Sequence, residues 1–514
     1  MDVLTTPLTA FSQYFSKSDY VLALPMILLT VFALGILLID LMLPEEWKRL
    51  NALTALIGLG FSAAAVFRIH SLLGPGVSCI PGFFGTIVMD RFAVYFFYLF
   101  LVGAAVAVLM SVKYLEVERE NHGEYYALIL FSVVGMMAMA CGYDIIMLFI
   151  GLELMALSTY VLVGFLRRDQ RSNEAALKYL ILGAFSSGIF AYGLSLFYGL
   201  TGSTNLGAIA LGLEKRIAAN PNDPVVIFAL LAVSTGLLFK IAAVPFHQWA
   251  PDAYEGAPTA ITGFMSVAVK SAAWALLLRI FLFGFYPLRA LYMPMLIFVA
   301  LATLTGGNLA AITQTNTKRL LAYSSIAHVG YMLLGLIASD GTSNTTGIKG
   351  IMFYLLVYTF MNLGAFAVIT SLRRREIIGD DLDDLAGLYK KAPVEAALML
   401  IFLLSLAGIP PLAGFYGKYF IFLSLVETGH FALAGIAVLY AVVGLYYYLK
   451  MANAMFMREE TTAEPVKSSP SMSLALAVCA IGTIGIGLFP NVFIELVNWS
   501  MSGANAATIA QLMH

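Results

Sequence analysis

Charge is scarce in this chain. Only 11% of its 514 residues are Asp, Glu, Lys or Arg, against roughly a quarter in an ordinary soluble domain. The two signs nearly cancel, with 29 basic and 30 acidic side chains, so no basic excess exists to hold nucleic acid. Low charge with high hydrophobicity is also the reverse of what keeps a chain disordered. Cysteine is scarcer still: Cys79, Cys141 and Cys479 lie far apart, with no CxxC or Cys/His spacing. That excludes a disulfide framework, a zinc site and an iron–sulfur ligand set, and leaves three small apolar packing residues. A GxGxxG fingerprint and a P-loop are missing, and the histidines offer no credible pair for a membrane haem. Any redox chemistry coupled to this chain is therefore expected on another one. Met1–Tyr20 lacks a basic segment followed by an apolar run, so the first transmembrane helix is expected to remain in the mature protein.

Apolar residues fill the place of charge, at 61% of the chain. About 20 mostly apolar residues cross a bilayer as a helix. Fourteen runs qualify: 20–42, 50–70, 92–112, 125–141, 144–166, 174–201, 224–247, 257–283, 291–314, 319–339, 349–373, 394–424, 428–457 and 471–489. Backbone groups in lipid must be bonded internally, so these spans 1 to 14 are expected to be helices. The fold class is an all-α polytopic membrane protein. Loops on the side opposite the N-terminus hold sixteen lysines and arginines, Lys318 and Arg373–Arg375 among them, against eight on the N-terminal side, including Arg279 and Lys349. The positive-inside bias therefore puts both termini on the non-cytoplasmic side.

Lys178, Lys240, Lys270, Lys418 and Glu153 remain inside apolar segments. A central charge costs roughly 2.5–3.5 kcal/mol on insertion scales, and such residues mark ion or proton paths. The bland alternative is snorkelling, open to Lys178 one turn inside span 6 and, less easily, to Lys418 near the end of span 12. Lys240 and Lys270 lie sixteen and thirteen residues into their spans, too deep to snorkel. Glu153 sits about nine residues into span 5, roughly 13 Å of rise. Desolvation alone favours its protonated form, and a neighbouring lysine reverses that preference. Two readings of a buried Glu–Lys pair stay open: a proton-handling element, or a static ion pair that fixes packing. His328 in span 10 is either a hydrogen-bonded packing residue or a shuttle that titrates near neutrality. His247, in PFHQW, is expected at the interface.

Two spans are interrupted. Span 7 reads LLFKIAAVPFHQW and span 12 reads SLAGIPPLAGFYGKYF. Pro245 deprives the Ile241 carbonyl of its donor, and Pro410 and Pro411 do the same to Leu406 and Ala407, with Gly408 adding flexibility. Such breaks are either ordinary kinks or a transporter's ion site, and here each has a lysine nearby. The halves also echo one another: KYLILGAFSSGIFAYG from Lys178 resembles FYLLVYTFMNLGAFAV from Phe353, and Pro224 and Pro393 open spans 7 and 12. This divides the chain into N-terminal spans 1–3 (1–112), a five-helix repeat (113–283), a second repeat (284–457) and span 14 with its tail (458–514). Five helices is an odd number, so the copies are expected to be inverted. The match is imperfect, since Phe353 takes the place of Lys178.

FKIAAVPFHQWAPDAYEGAPTAITGFMSVAVKSAA (239–273), TKRLLAYSSIAHVGYMLLG (317–335) and AGIPPLAGFYGKYF (407–420) resemble the antiporter-like membrane subunits of proton-pumping NADH:quinone oxidoreductase, respiratory complex I, and subunit N in particular. Subunits L and M share the VPFH–W–PDA frame but continue with a His-Thr-Glu-Ala-Pro type run, where this chain has Tyr254-Glu255-Gly256-Ala257-Pro258. Subunit L also has a long lateral helix that the residues after Phe489 are too few to form. The resemblance implies Glu153 and Lys240 as partners of an input half-channel, with Lys178 contributing. It implies Lys270 as central relay, His328 and water as continuation, and Lys418 as terminal site. Span 11 offers Tyr354 and Tyr358 where some relatives carry Lys or His, so continuity from Lys270 to Lys418 leans on His328, tyrosines or water. Parting Glu153 from Lys240 would make the lysine easier to deprotonate and push its proton onward.

The resemblance further implies a non-redox translocase subunit in the bacterial inner membrane. NADH, FMN, iron–sulfur clusters and quinone are then expected on partner subunits, which include L, M, K and the peripheral arm, and membrane lipids surround the chain. A sodium/proton antiporter is the first rival, disfavoured because sodium wants several oxygen ligands and this interior offers four lysines and one carboxylate. A non-transporting scaffold of the membrane arm is the second. Ferredoxin-linked, F420-linked or photosynthetic relatives of complex I would carry much the same subunit.

Overall fold

The computed structural model describes residues 16–74, 76–339, 344–372, 380–458 and 468–502. Arg373, Arg374, Arg375 and Lys467 of the charge census, and tail residues 503–514, lie outside them. The chain begins with α1 (Lys17–Asp40), α2 (Arg49–Leu72), an antiparallel hairpin of β1 (Cys79–Gly82) and β2 (Ile87–Asp90), and α3 (Arg91–Glu118). Next come α4 (Gly123–Cys141), α5 (Ile145–Val163), α6 (Gln170–Thr201) and the short α7 (Leu206–Ala219). A divided span, α8 (Pro224–Lys240) and α9 (Trp249–Gly256), leads into α10 (Thr259–Gly284). The second half runs through α11 (Arg289–Thr313), α12 (Thr317–Ile337), α13 (Thr346–Leu372), a second divided span of α14 (Pro393–Ala407) and α15 (Ala413–Glu427), and α16 (Phe431–Met457). Helices α17 (Pro470–Leu488) and α18 (Pro490–Met501) close the chain.

Among the described residues, twelve helices are long and apolar enough to cross a membrane, and α8 and α14 are apolar but shorter. Of the fourteen expected spans, twelve are thus long continuous helices, and spans 7 and 12 are each cut in two, as their prolines suggest. Side-chain caps set many of the helix starts. Asp90, Asp144, Asp169, Asn205, Asp223 and Asn316 each accept a backbone N–H of the helix that follows, satisfying donors that have no partner within the helix. Helix α7 falls where the sequence suggested only a loop. Asn205 caps it, and Leu206, Ile209 and Leu213 fall on one buried face, the spacing of an amphipathic helix.

The two halves repeat a local join. Ile145 donates its N–H to the Thr204 carbonyl at 2.9 Å and Leu206 to Tyr143 at 3.0 Å. In the second half Thr317 donates to Asp380 at 2.6 Å and Leu382 to Thr315 at 2.9 Å. Each join ties the start of one helix to the chain following the next, as a duplicated unit should. Helix α10 runs through the middle and is buried along its whole length.

Two residues of the charge census are not loop cations. Arg279 is fully buried: Nη1 and Nη2 donate to Asp90 at 2.6 Å each and Nε to the Ala140 carbonyl at 2.8 Å. Its guanidinium lies 4.6 Å from the Phe92 ring centre and 5.3 Å from that of Phe283. Lys318 is buried as well, donating to the Ala257 carbonyl at 3.0 Å and pairing with Asp380 at 3.5 Å. One residue leaves each side of the count, so the bias keeps its sign.

Candidate functional site

Helix α8 stops at Lys240 because the chain turns there. Ala242 adopts a φ of +60°, and Pro245 has no N–H to continue the ladder. Trp249 Nε1 donates to the Phe239 carbonyl at 2.8 Å, and the Val244 N–H to Thr303 Oγ1 at 3.0 Å, so side chains satisfy the break. Lys240 is buried, with Nζ 3.4 Å from the Tyr160 hydroxyl and 5.7 Å from that ring's centre. Tyr160 meets Tyr179 edge-on at 4.6 Å, and Tyr179 stacks on Trp249 at 4.6 Å.

The expected Glu153–Lys240 ion pair is not formed. Lys240 bonds Tyr160 instead, and Glu153 Oε1 is buried without a hydrogen-bond partner. Glu153 and Tyr160 are seven residues apart on α5 and share a face. The lysine therefore meets α5 at Tyr160, about two turns from the carboxylate on the same helix, and no ion pair joins the two.

Lys178 stands apart from this group, half-exposed at the rim, where Nζ meets Glu174 at 2.8 Å and Asp252 at 3.1 Å. Arg319 of α12 joins Asp252 at 2.7 Å and Glu255 at 2.9 Å. These side chains line a charged mouth of about 230 Å³ between α6, α9 and α12.

At the centre, a π-helical turn over Met265–Val269 immediately precedes Lys270, and a second over Ile280–Gly284 follows Arg279. Such turns widen the helix and concentrate at functional positions. Lys270 Nζ donates to Ser325 Oγ and, at 3.3 Å, to the Ser325 carbonyl. It also lies 5.9 Å from the Tyr254 ring centre. Three residues along α12, His328 contacts the Tyr354 hydroxyl through Nδ1 at 2.5 Å and the Tyr448 hydroxyl through Nε2 at 2.9 Å. Tyr448 reaches Ser324 Oγ at 2.5 Å. Tyr358 packs its ring 5.1 Å from the imidazole. Both tyrosines of span 11 therefore surround His328. Tyr448 of α16 joins them, although in sequence nothing sets it apart from its neighbours Tyr446 and Tyr447.

Lys418 closes the series. Its Nζ donates to the Leu406 and Ala407 carbonyls at 3.1 and 2.7 Å, the two acceptors that Pro410 and Pro411 leave without helical donors. It also lies 5.2 Å from the Tyr331 ring centre, and Tyr331 is one turn beyond His328 on α12. Gly408 makes the turn with a φ of +88°, and a Cβ there would sit 2.9 Å from Lys418 Cδ. Gly408→Ala is therefore expected to cost about 1–2 kcal/mol for the left-handed backbone and to displace Lys418 from its carbonyls. Thermal unfolding of the assembled protein checks the first effect, and a cost below about 0.5 kcal/mol would contradict this geometry.

The two broken spans carry equivalent contacts: Lys240 against Tyr160 of α5, Lys418 against Tyr331 of α12. Five buried groups (Lys240, Lys270, Ser325, His328, Lys418) thus lie in the interior. Hydroxyls meet three of the four bases, Tyr160 at Lys240, Ser325 at Lys270, and Tyr354 and Tyr448 at His328, while Lys418 lies over the Tyr331 ring.

Comparison with known proteins agrees with this architecture. The family described as NADH:quinone oxidoreductase/Mrp antiporter, transmembrane, matches residues 142–444. NADH-quinone oxidoreductase subunit N 1 of Koribacter versatilis (strain Ellin345) is 68% identical over 98% of this chain and 100% of its own length. A chain of respiratory complex I from Thermus thermophilus with bound Aureothin superposes with a TM-score of 0.75 at 33% identity, covering 92% of this chain and 98% of its own. A chain of the Mrp complex from Dietzia sp. DQ12-45-1b shares the fold, with a TM-score of 0.78 at 22% identity over 95% of this chain and 99% of its own. The chain belongs to the NADH-quinone oxidoreductase subunit N family, within the wider group of NADH:quinone oxidoreductase and Mrp antiporter membrane proteins.

Proposed function

We propose that this chain is a proton-translocating membrane-arm subunit of a bacterial NADH:quinone oxidoreductase and carries no redox group of its own. The observation that carries this reading is the set of buried bases Lys240, Lys270, His328 and Lys418, the first three each in contact with a hydroxyl group. Ionisable side chains held in a membrane interior are costly, and they persist where an ion or proton must pass. Hydroxyl groups can both donate and accept, so Ser325, Tyr354 and Tyr448 can relay a proton between nitrogen bases.

A proton reaches Lys240 from the charged mouth around Lys178, Glu174 and Asp252. Glu153, with an oxygen free of protein partners, holds the proton or draws the Lys240 ammonium toward it. Transfer to Lys270 brings charge beside Ser325, and His328 passes it through the tyrosines to Lys418. The freed carbonyls of Leu406 and Ala407 favour the ammonium at that end, so charging Lys418 is the last step before release. NADH, FMN, iron–sulfur clusters and quinone belong to partner subunits, and subunits L, M and K and the peripheral arm are the expected neighbours. Both termini face away from the cytoplasm.

Lys270→Ala is the test, in the assembled complex reconstituted into vesicles. Protons moved per NADH oxidised should fall while the subunit content of the complex is unchanged. An unaltered ratio would mean that the chain is a scaffold. Sodium-dependent proton movement by the purified chain alone would point to an antiporter instead.

A further inference from the structure

The charged mouth has a counterpart in the second half. With Lys178 set against Phe353, the mouth residues Arg171, Glu174 and Ala175 correspond to Thr346, Lys349 and Gly350. Those four second-half residues line another groove of about 230 Å³. Phe420 and Leu423 of α15 form the wall that Asp252 and Glu255 of α9 form in the first half, with the same three-residue spacing. Ile494 and Val497 of α18 complete the second groove, where Arg319 of α12 completes the first. The chemistry has changed while the place has not. An ion-paired cluster in one half is an apolar slot in the other, with a single cation at its rim.

We propose that this slot binds a membrane phospholipid with an anionic headgroup, its phosphate on Lys349 and an acyl chain along Phe353, Phe420 and Leu423. The polarity is graded with depth. Thr346 begins α13, Lys349 follows after one turn, and Phe353 lies about 6 Å further along the axis. Phe353 and Phe420 meet edge-on at 5.1 Å and form the floor. Asn498 adds an amide at the rim beside Lys349. Among the described residues the Lys349 side chain has no acidic or hydrogen-bonding partner, so its charge is available to a phosphate. A lysine on a flexible stem suits that task, since it binds phosphate as a point charge. The slot is too apolar to hold water well, and acyl chains are the abundant apolar ligand at this depth. The site is independent of the proton path: Lys349 touches none of its members.

Acyl-diazirine phosphatidylglycerol tests this in the assembled complex, held in nanodiscs of phosphatidylethanolamine. Photolabelling should map to α13, α15 and α18. Lys349→Glu should lower it about fivefold, the effect of one basic residue at an anionic lipid surface, while Lys349→Arg should preserve it. Ile494→Trp, which fills the slot without changing charge, should abolish labelling. Should Lys349→Glu not assemble, Lys349→Gln gives the same reading. Equal labelling of unaltered and Lys349→Glu complexes overturns the proposal. So does crosslinking of the slot to another protein chain, or labelling by the phosphatidylethanolamine analogue at the same level.

Discussion

Asp90→Ala should destabilise the protein by about 3–5 kcal/mol, the cost of leaving one member of a buried ion pair uncompensated. Asp90 and Arg279 are both almost completely buried and joined by two hydrogen bonds of 2.6 Å. Asp90 also caps α3 by accepting the Ala93 N–H at 2.8 Å, which adds about 1 kcal/mol to the loss. Because the desolvation of both charges is already spent, the pair itself contributes little net stability. Removing both charges should therefore be far milder than removing one. In Asp90→Asn/Arg279→Met the asparagine retains the cap and the thioether fills the space between Phe92 and Phe283. Most of the loss should return, leaving chiefly the Ala140 carbonyl short of its donor. Thermal unfolding of the two single variants and the double variant measures this. A double variant as unstable as Asp90→Ala would show that the pair is a net source of stability.

Much of this architecture can be read from the sequence because lipid permits few alternatives. Apolar length fixes the spans, and the prolines fix where two of them break. Lys240, Lys270 and Lys418 stood out because charge is costly where they sit, and all three are buried. The freed carbonyls of Leu406 and Ala407 follow from Pro410 and Pro411 alone, and Lys418 takes both. What could not be read depends on contacts between distant segments. Arg279 reads as a span-end cation because its partner is 189 residues away, at the end of a short hairpin strand. Lys178 looked intramembrane because the apolar run counted it in, yet Asp252 and Glu174 hold it at the rim. The pairing of Glu153 with Lys240 follows from the resemblance alone, since nothing in the sequence says which face each side chain takes, and Lys240 meets Tyr160.

The repeat shows the same division. Its register comes from the match of Lys178 with Phe353, and neither residue is one of the buried lysines. The matching contacts of the buried lysines, Lys240 on Tyr160 and Lys418 on Tyr331, become visible only in three dimensions. The lysines precede the break in one half and follow it in the other, so no alignment of the two segments superposes them.

His328→Leu should slow proton translocation through the chain about a hundredfold, the low end of the effect of losing a positioned proton-transfer group. The imidazole is the only titratable nitrogen on α12 between Ser325, which holds Lys270, and Tyr331, which covers Lys418. It bonds Tyr354 and Tyr448 at once, one on each ring nitrogen. A ring so placed can accept a proton at one nitrogen and release another from the opposite one, so it need not rotate. Leucine has a similar volume and keeps the helix, so packing should change little. Tyr354→Phe and Tyr448→Phe each remove one hydroxyl and leave the ring, and either alone should slow pumping about fivefold to tenfold, a net hydrogen bond's worth. The combination should approach the leucine variant, because an imidazole without either hydroxyl has nowhere to pass its proton. The ratio of protons moved to NADH oxidised, in vesicles of the assembled complex, reads each step. Full pumping by His328→Leu would place the route between Lys270 and Lys418 elsewhere.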